Sequence, residues 1–349
     1  MKALVTGAAG FIGSNVVRAL LEAGHDVRAL HQPTDDLRNL RGLDVERIAG
    51  DVTERSDVER ATRGCDWVFH LAAIYALWTR DPARMRHVNV TGTRVVLEAA
   101  RAAGVARVVH TSSIARFGGQ GAGIRATEES EFALGKTGDL YSATKRDAHE
   151  LARAFARDLD VTIVCPTGPI GAGDVGPTPT GRLLLACVTA PVMVVADTVS
   201  NFACVEDIAR GHVLAAEKGR RGEAYLLGHR DLSLQALATM ASSVLGRRRR
   251  VVVVPLQLAN VAAYGATWWA GLSGRAPLLT PAAVAIAKLG LAADCGKAVA
   301  ELGLPQTQIE RGLEQAMEWF AREGYVRKRA LAGSAASAGP VAEASRSMR

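Results

Sequence analysis

Short β-rich runs alternate with amphipathic helical segments through the first half of the chain. The hydrophobic pattern predicts six strands, at residues 3–6, 26–30, 45–48, 67–70, 107–111 and 161–165. Helices are expected between them, at residues 11–23, 55–63, 82–103 and 141–157. This alternation is typical of a parallel sheet covered on both faces, so we predict an α/β fold with a doubly wound, Rossmann-type sheet.

The pattern changes after Pro166. Residues 171–181 are rich in Gly, Pro and Thr and predict a loop, which short strands at 192–195 and 224–227 and then mainly helices follow. We therefore expect two domains and a tail. They are a dinucleotide-binding domain at 1–170 with 203–220 returning to it, a smaller mixed α/β substrate-binding domain at 171–202 and 221–328, and a disordered tail at 329–349.

Residues 251–274 carry no charge and are numerous enough to span a bilayer. A proline, two amides and three glycines interrupt the stretch. We predict a strand at 251–254 and then a helix from Leu256 to about Gly271, with no integral membrane span. The alternative is a helix that lies on the surface and ends in Trp268 and Trp269, in peripheral contact with a membrane or with an apolar substrate.

Composition is that of an ordinary globular protein, with 48% hydrophobic and 22% charged residues among 349. The net charge of +7 is concentrated in the arginine run 247–250 and in residues 321–349, which hold six Lys/Arg and two Asp/Glu. The near-neutral remainder excludes nucleic acid as a partner. The five cysteines are far apart, and no secretory signal precedes the first strand, which favours a cytoplasmic protein without a metal site.

Three glycines, Gly7, Gly10 and Gly13, join the first predicted strand to the first predicted helix. Such a turn lets backbone amides approach a pyrophosphate at the amino end of the helix, so we expect it to bind a dinucleotide rather than to act as a bare turn. Ala9, Phe11 and Ile12 are expected to contribute to the same cofactor contact.

The end of the second strand indicates which cofactor is used. It reads Leu30-His31-Gln32, without the acid that would bind the ribose diol of NAD, so we expect NADP, with NAD as the alternative. Arg28 and Arg38 are candidates to meet the 2′-phosphate, or are ordinary surface residues. Other strand-end residues expected to contact the cofactor are His31, Asp51, Val52, Leu71, Ala72 and Ala73.

Tyr141 and Lys145 lie four residues apart at the start of a predicted helix and therefore share one face. A phenol that exchanges a proton with an alkoxide near neutral pH benefits from a nearby ammonium, which we expect to lower the phenol pKa. Ser113 ends the fifth strand, where ligands bind in such sheets, and its hydroxyl can donate to the substrate oxygen. These three are the predicted catalytic residues.

The ordered series of motifs resembles the extended short-chain dehydrogenase/reductase superfamily over residues 1–325. The matching positions are Gly7, Gly10, Gly13, Asp51, 70–73, 89–93, 111–113, Tyr141, Lys145 and Pro166. Residues 75–82, 166–171 and 177–182 are similar to dihydroflavonol reductase-like proteins and most resemble the hopanoid-associated sugar epimerases. The resemblance implies that Tyr141 is the general acid/base, Lys145 its electrostatic partner and Ser113 the group that polarises the carbonyl.

The same resemblance implies that Asn89 supports the catalytic site and that Pro166 and Thr167 cover the nicotinamide. Sugar-nucleotide dehydratases of this superfamily carry an Asp-Glu pair just after the catalytic hydroxyl, whereas this chain carries Ile114 and Ala115. Dehydration by that route is therefore not expected.

Tyr75, Trp78, Phe117 and Arg182, with Ser113, are expected to surround the reacting carbon of a small-molecule substrate. Three functions compete: a reductase or dehydrogenase that acts on a ketone or secondary alcohol of a cyclic or lipid-like molecule, a sugar epimerase that retains its cofactor, and a non-catalytic cofactor sensor. The pattern favours the first. Whether the chain forms a homodimer stays open.

Overall fold

The computed structural model describes residues 1–121, 123–136, 139–246, 249–273 and 279–326, so the predicted tail lies outside the described residues. The strands are β1 (Lys2–Thr6), β2 (Asp26–His31), β3 (Glu46–Ala49), β4 (Trp67–His70), β5 (Arg107–Thr111), β6 (Val161–Pro166), β7 (Gly168–Ile170), β8 (Val192–Ala196), β9 (Val199–Cys204), β10 (Ala224–Leu227), β11 (Arg230–Ser233) and β12 (Arg250–Val254). The helices are α1 (Phe11–Glu22), α2 (Arg55–Thr62), α3 (Pro82–Arg86), α4 (Thr93–Ala102), α5 (Leu140–Phe155), α6 (Pro179–Thr189), α7 (Val205–Lys218), α8 (Leu234–Val244), α9 (Leu256–Ser273), α10 (Pro281–Leu289), α11 (Gly296–Leu302) and α12 (Ile309–Arg322).

The large sheet is seven-stranded and parallel, in the order β3-β2-β1-β4-β5-β6-β10. Its centre is β1, where Val5 is paired with Ala29 of β2 on one side and with Phe69 of β4 on the other. The strand order reverses at this point, which opens a crevice at the carboxyl ends of β1 and β4. The predicted α/β fold with a Rossmann-type sheet is confirmed.

Strand β10 differs from the prediction, which placed residues 224–227 in the smaller domain. All four of its side chains are buried, and Leu226 is paired with Cys165 of β6. Helix α7 crosses one face of the sheet and returns the chain parallel to β6, so the run completes the large sheet. The sequence pattern predicts this strand but not the sheet to which it belongs, because a change of rhythm separates it from the other six.

Successive side chains of the central strands point to opposite faces, and each face is covered by helices. On β5, Val109 belongs to the core shared with α1, α7 and α11, whereas Val108 belongs to the core shared with α2, α4 and α5. Both valines are fully buried. The large sheet is therefore held from both sides, which fixes the carboxyl ends of its strands relative to one another.

A second, smaller layer is built from β7, β9 and β11, from the parallel pair β8 and β12, and from α6, α8 and α12. Its core includes Leu184, Leu237, Leu313 and Phe320. The predicted loop is shorter than expected, since Thr178 caps α6 by accepting from the Gly181 amide at 3.1 Å.

The predicted uncharged helix is present as α9, directly after β12 and Pro255. It packs against α10 through Ala259, Ala263 and Val284. Among the helices of the described part of the chain, none is both long enough and apolar enough to cross a bilayer.

Candidate active site

The glycine turn between β1 and α1 has a backbone that only glycine allows. Gly7 has φ +66°, and a Cβ there would lie 2.9 Å from the backbone of Ala72. A Cβ on Gly13 would lie 2.1 Å from the carbonyl oxygen of Gly7. No side chain caps the first turn of α1, which follows Gly10. The bare turn and the uncapped helix amino end fit a pyrophosphate.

The residues between these glycines continue the turn into the helix. Ala9 is buried, whereas Phe11 and Ile12 are half-buried at the start of α1. Thr6 fixes the opposite wall, because its hydroxyl accepts from the amides of Leu71 and Ala72, both at 3.2 Å. Residues 71–73, expected to contact the cofactor, therefore abut the glycine turn.

Two buried asparagines that the sequence analysis did not single out fasten a loop over this turn. Asn15 donates to the carbonyl of Ala172 at 3.0 Å, and Asn39 donates to that of Gly173 at 2.8 Å. For Asn15 the available signal was polarity at an inward-facing position of the first predicted helix, whereas Asn39 lies outside every predicted element. These bonds hold the segment after β7 against the amino end of α1.

The ends of β2 and β3 bring together the residues expected near the adenosine. Gln32 donates to a carboxylate oxygen of Asp51 at 3.5 Å, and the His31 ring bonds to the Gln32 carbonyl at 2.8 Å. The other Asp51 oxygen accepts from the amide and hydroxyl of Thr53. Val52 is buried beside Gly92 of the neighbouring helical segment.

Of the two arginines proposed for the 2′-phosphate, the structure excludes Arg28 and leaves Arg38 partly exposed. Arg28 is buried, donates to the carbonyls of Ala61 and Arg63 at 2.7 Å and pairs with Glu46 at 2.9 Å, so its expected role is wrong. Arg38 is paired with Asp36 at 2.7 Å, which offsets the positive charge that it offers to a phosphate.

The catalytic candidates converge at the carboxyl end of β5. Ser113 follows this strand, and its hydroxyl lies close enough to the phenol of Tyr141, in the first turn of α5, to influence the pKa of that phenol. The Ser113 oxygen also accepts from the amide of Ala115 at 3.2 Å, so it caps a short 3-10 turn as well. Asp139 caps α5 by accepting from the Ser142 amide at 2.9 Å, which fixes where Tyr141 projects.

The pKa of Tyr141 is raised above its usual value, which corrects the expectation that Lys145 lowers it. Burial of the phenol is the main cause, the neighbouring Tyr75 adds to it, and the Ser113 hydroxyl opposes it. The phenol is therefore protonated at neutral pH and is suited to give a proton.

Lys145 lies on the same helix and is buried. Its ammonium donates to the carbonyl of Thr111, the last residue of β5, at 2.9 Å. Burial lowers the pKa of Lys145 to about 8, which leaves the group charged at neutral pH but able to exchange its proton. The bond to the strand fixes the ammonium beneath the site.

Asn89 lies in a π-helical turn between α3 and α4, a type of irregularity frequent at functional sites. Its side chain accepts from the amide of Ile74 at 2.7 Å and donates to the carbonyl of Ile74 and the hydroxyl of Thr144, both at 3.0 Å. Asn89 thus ties the segment after β4 to the catalytic helix. The structure makes it a positioning residue rather than a group that meets the substrate.

The expected substrate residues separate into two groups. Tyr75 is exposed, with its ring 4.7 Å from that of Tyr141, and Trp78 is half-buried on the same segment. Arg182 is exposed in the first turn of α6, and its Nε donates to the carbonyl of Pro177 at 2.9 Å. Phe117 is fully buried against His149, so it supports the site from below and does not line it.

Pro166 and Thr167 are also buried, and the hydroxyl and amide of Thr167 both donate to the carbonyl of Leu227. They are therefore anchored to β10. Only a small part of the surface of either residue is therefore open to contact with a nicotinamide.

Four buried histidines surround the catalytic elements and were not anticipated. His70 bonds to the hydroxyls of Thr6 and Thr93, His149 to that of Ser112, and His212 to that of Thr111. His110, beside His70, has no hydrogen-bond partner for either ring nitrogen within the described residues. The described part of the chain holds no group of three or more His, Cys, Asp or Glu arranged to bind a metal.

Comparison with known proteins gives a consistent result. The sequence profile described as the NAD dependent epimerase/dehydratase family matches residues 3–228. A putative dihydroflavonol 4-reductase of Synechocystis sp. is 37% identical over 328 residues, covering 93% of this chain and 95% of its own length. Sterol demethylase protein B of Methylococcus capsulatus is 32% identical over 331 residues, covering 93% and 100%. The crystal structure of gox2253 superimposes with a TM-score of 0.83 at 34% identity, covering 93% of this chain and 99% of that one.

Proposed function

The chain belongs to the NAD dependent epimerase/dehydratase family and is a nicotinamide-dependent oxidoreductase. We propose that it reduces a ketone on a largely apolar, cyclic or lipid-like molecule. The observation that carries the proposal is the enclosed Tyr141 phenol, which lies near the Ser113 hydroxyl and beside the exposed ring of Tyr75, and whose burial keeps it protonated. A group that must give a proton to an alkoxide is best held as the acid at neutral pH.

A nicotinamide dinucleotide held at the Gly7–Gly13 turn would supply the hydride chemistry of the proposed reaction. Ser113 donates a hydrogen bond to the carbonyl oxygen, and Tyr141 gives its hydroxyl proton to the alkoxide oxygen. The charged Lys145 lies one helical turn further along α5 and favours the phenolate that remains. Asn89 holds α5 against the segment that carries Tyr75.

The proposed substrate class rests on the residues around the phenol and on the names of the relatives. The exposed ring of Tyr75 lies beside the phenol of Tyr141, and the smaller layer of β7, β8, β9, β11, β12, α6, α8 and α12 is the proposed substrate domain. One relative is named for a dihydroflavonol and another for a sterol, both polycyclic compounds. A hydroxylated or keto polycycle would place its flat face on Tyr75 and its carbonyl at Tyr141.

An epimerase that oxidises and re-reduces one carbon remains the second candidate, favoured by the name of the family itself. It needs the same three catalytic groups, but its cofactor is regenerated in each cycle. The hopanoid-associated sugar epimerase branch stays a prediction.

Purified protein separates the two candidates. A panel of polycyclic and isoprenoid ketones is incubated with NADPH while its absorbance is followed, and nucleotide sugars are incubated in parallel and analysed by chromatography. Sustained loss of NADPH with a ketone supports the reductase. Interconversion of two sugars without net NADPH loss would contradict it and establish the epimerase.

We further propose that the cofactor is NADP, because the end of β2 presents the Gln32 amide where an NAD enzyme would present a carboxylate.

Gln32→Asp is expected to raise the Kd for NADPH about tenfold, because the new carboxylate repels the 2′-phosphate. The same carboxylate would accept hydrogen bonds from the ribose hydroxyls of NADH. Titration of both reduced cofactors by fluorescence measures the change. Gln32→Asn, which keeps an uncharged amide, should retain the wild-type preference, and a wild type that binds NADH more tightly would refute the proposal.

A further inference from the structure

Helix α9 exposes apolar side chains around the face that points away from the protein. Its inner face consists of small residues, Ala259 and Ala263, which pack against α10. The large apolar residues on its outer face are between 62% and 73% exposed. They are Leu258, Val261, Tyr264, Trp268 and Trp269. At 100° per residue these five occupy one side of the helix, so they form a continuous outward stripe rather than scattered positions.

The stretch of sequence that contains this helix is strongly basic, although exposed Asp197 lies near its first residues. Between Asp231 and Asp294 the sequence has six basic residues and no acidic one, against a net charge of +7 for the whole chain. Of these basic residues, Arg250 at the start of β12 and Lys288 near the end of α10 are exposed in the structure. The helix itself carries no charge. An apolar stripe on a helix within a basic segment complements a surface that is anionic outside and apolar beneath.

We propose that α9 docks on the surface of an anionic phospholipid bilayer, with its axis in the membrane plane. The outward side chains would enter the boundary between headgroups and acyl chains, and Arg250 and Lys288 would meet the phosphates. Trp268 and Trp269 are the residue type that prefers this boundary, since each has an apolar body and a polar N–H. The helix lies on the membrane and does not cross it, in agreement with the absence of a spanning helix among the described residues.

Two other occupants are less compatible with this charge pattern. A second copy of the chain would bring two basic segments without acidic residues against each other. Residues 327–349 hold five basic residues and one acidic residue, so they would also be repelled, and they contain few large apolar side chains to match the stripe. The proposal does not depend on which ketone is reduced.

Vesicle flotation with the full-length protein tests the proposal. Binding is expected to vesicles of phosphatidylglycerol and phosphatidylethanolamine, and at least tenfold less to vesicles of phosphatidylcholine alone, with attenuation by salt. Trp268→Ser combined with Trp269→Ser should abolish flotation, and Arg250→Gln combined with Lys288→Gln should remove the preference for the anionic lipid. Val299→Ser, which replaces a valine of α11 that is 40% exposed, is the matched control and should float like the wild type.

Retained NADPH affinity and an unchanged thermal transition show that each variant is folded. No flotation of the wild type, or flotation that survives the tryptophan replacements, would overturn the proposal. A concentration-dependent dimer that the tryptophan replacements dissociate, without vesicle binding, would also overturn it and assign the stripe to a second copy of the chain.

Discussion

Tyr141→Phe is expected to lower kcat for ketone reduction about 10²–10⁴-fold while it leaves the Kd for NADPH nearly unchanged. The phenol is the group that gives the proton, and its ring packs 4.7 Å from Tyr75, a contact that phenylalanine keeps. The loss therefore falls on chemistry and not on the fold. Stopped-flow measurement of NADPH oxidation, with a ketone identified by the screen, gives kcat, and fluorescence titration gives the Kd.

Tyr225→Phe is the matched control, because it also removes a buried phenol. Tyr225 lies on the edge strand β10, and its hydroxyl donates to Glu301 of α11 at 2.9 Å. The kcat of this variant should match the wild type. If Tyr141→Phe retained a wild-type kcat, another group would have to supply the proton and the proposed mechanism would be wrong.

Mild acid is expected to unfold the protein, because four histidines are buried as neutral rings. Burial lowers the pKa of His70 and of His149 to about 3 and of His212 to about 4, and holds that of His110 well below its usual value. In the unfolded chain each ring titrates near its ordinary pKa of about 6.5. As the pH falls below this value, protons bind the unfolded state first, so stability falls with pH until the folded-state pKa values are reached.

The expected size follows from the linkage relation. Each such histidine removes about 1.4 kcal/mol per pH unit once the unfolded form is fully protonated, so four remove about 5.6 kcal/mol per unit, compared with a typical total stability of about 5–15 kcal/mol. Two carboxyl groups oppose this loss, since burial raises the pKa of Asp174 to about 6 and also raises that of Glu128. Urea unfolding midpoints measured between neutral pH and pH 5 should therefore fall steeply.

His110→Phe identifies the source of the effect. Neither ring nitrogen of His110 has a partner in the described residues, so an apolar ring should stabilise the protein and reduce the pH slope by about a quarter. His87→Gln, at an exposed position, should change neither quantity. A slope that is the same in His110→Phe as in the wild type would assign the acid sensitivity to other groups.

The parts of the fold that follow from local patterns could be predicted from the sequence. The predicted bounds of the fourth and fifth strands, 67–70 and 107–111, agree with β4 and β5, since each is a short apolar run between turn signals. The glycine turn could be interpreted because Gly7 and Gly13 serve a local constraint, the close approach of one backbone segment to another. These features depend on neighbours in the chain and leave a mark in the local sequence.

The features that the sequence left open depend on residues that are distant along the chain. Pairing of β10 with β6 joins Leu226 to Cys165, and no local pattern records this partner. Arginine is a residue type that binds phosphates, but the guanidinium of Arg28 pairs with Glu46 and donates to two backbone carbonyls that are distant in the sequence. The rise in the pKa of Tyr141 likewise depends on how deeply the assembled protein encloses the phenol.

The late position of β10 has a consequence for biosynthesis. Strand β6 keeps an open edge until about sixty further residues have left the ribosome, because its outer neighbour begins only at Ala224. The nascent chain therefore passes through a stage in which unpaired backbone groups are available to other chains. A factor that shields this edge during translation would increase the yield of native protein without altering the finished molecule.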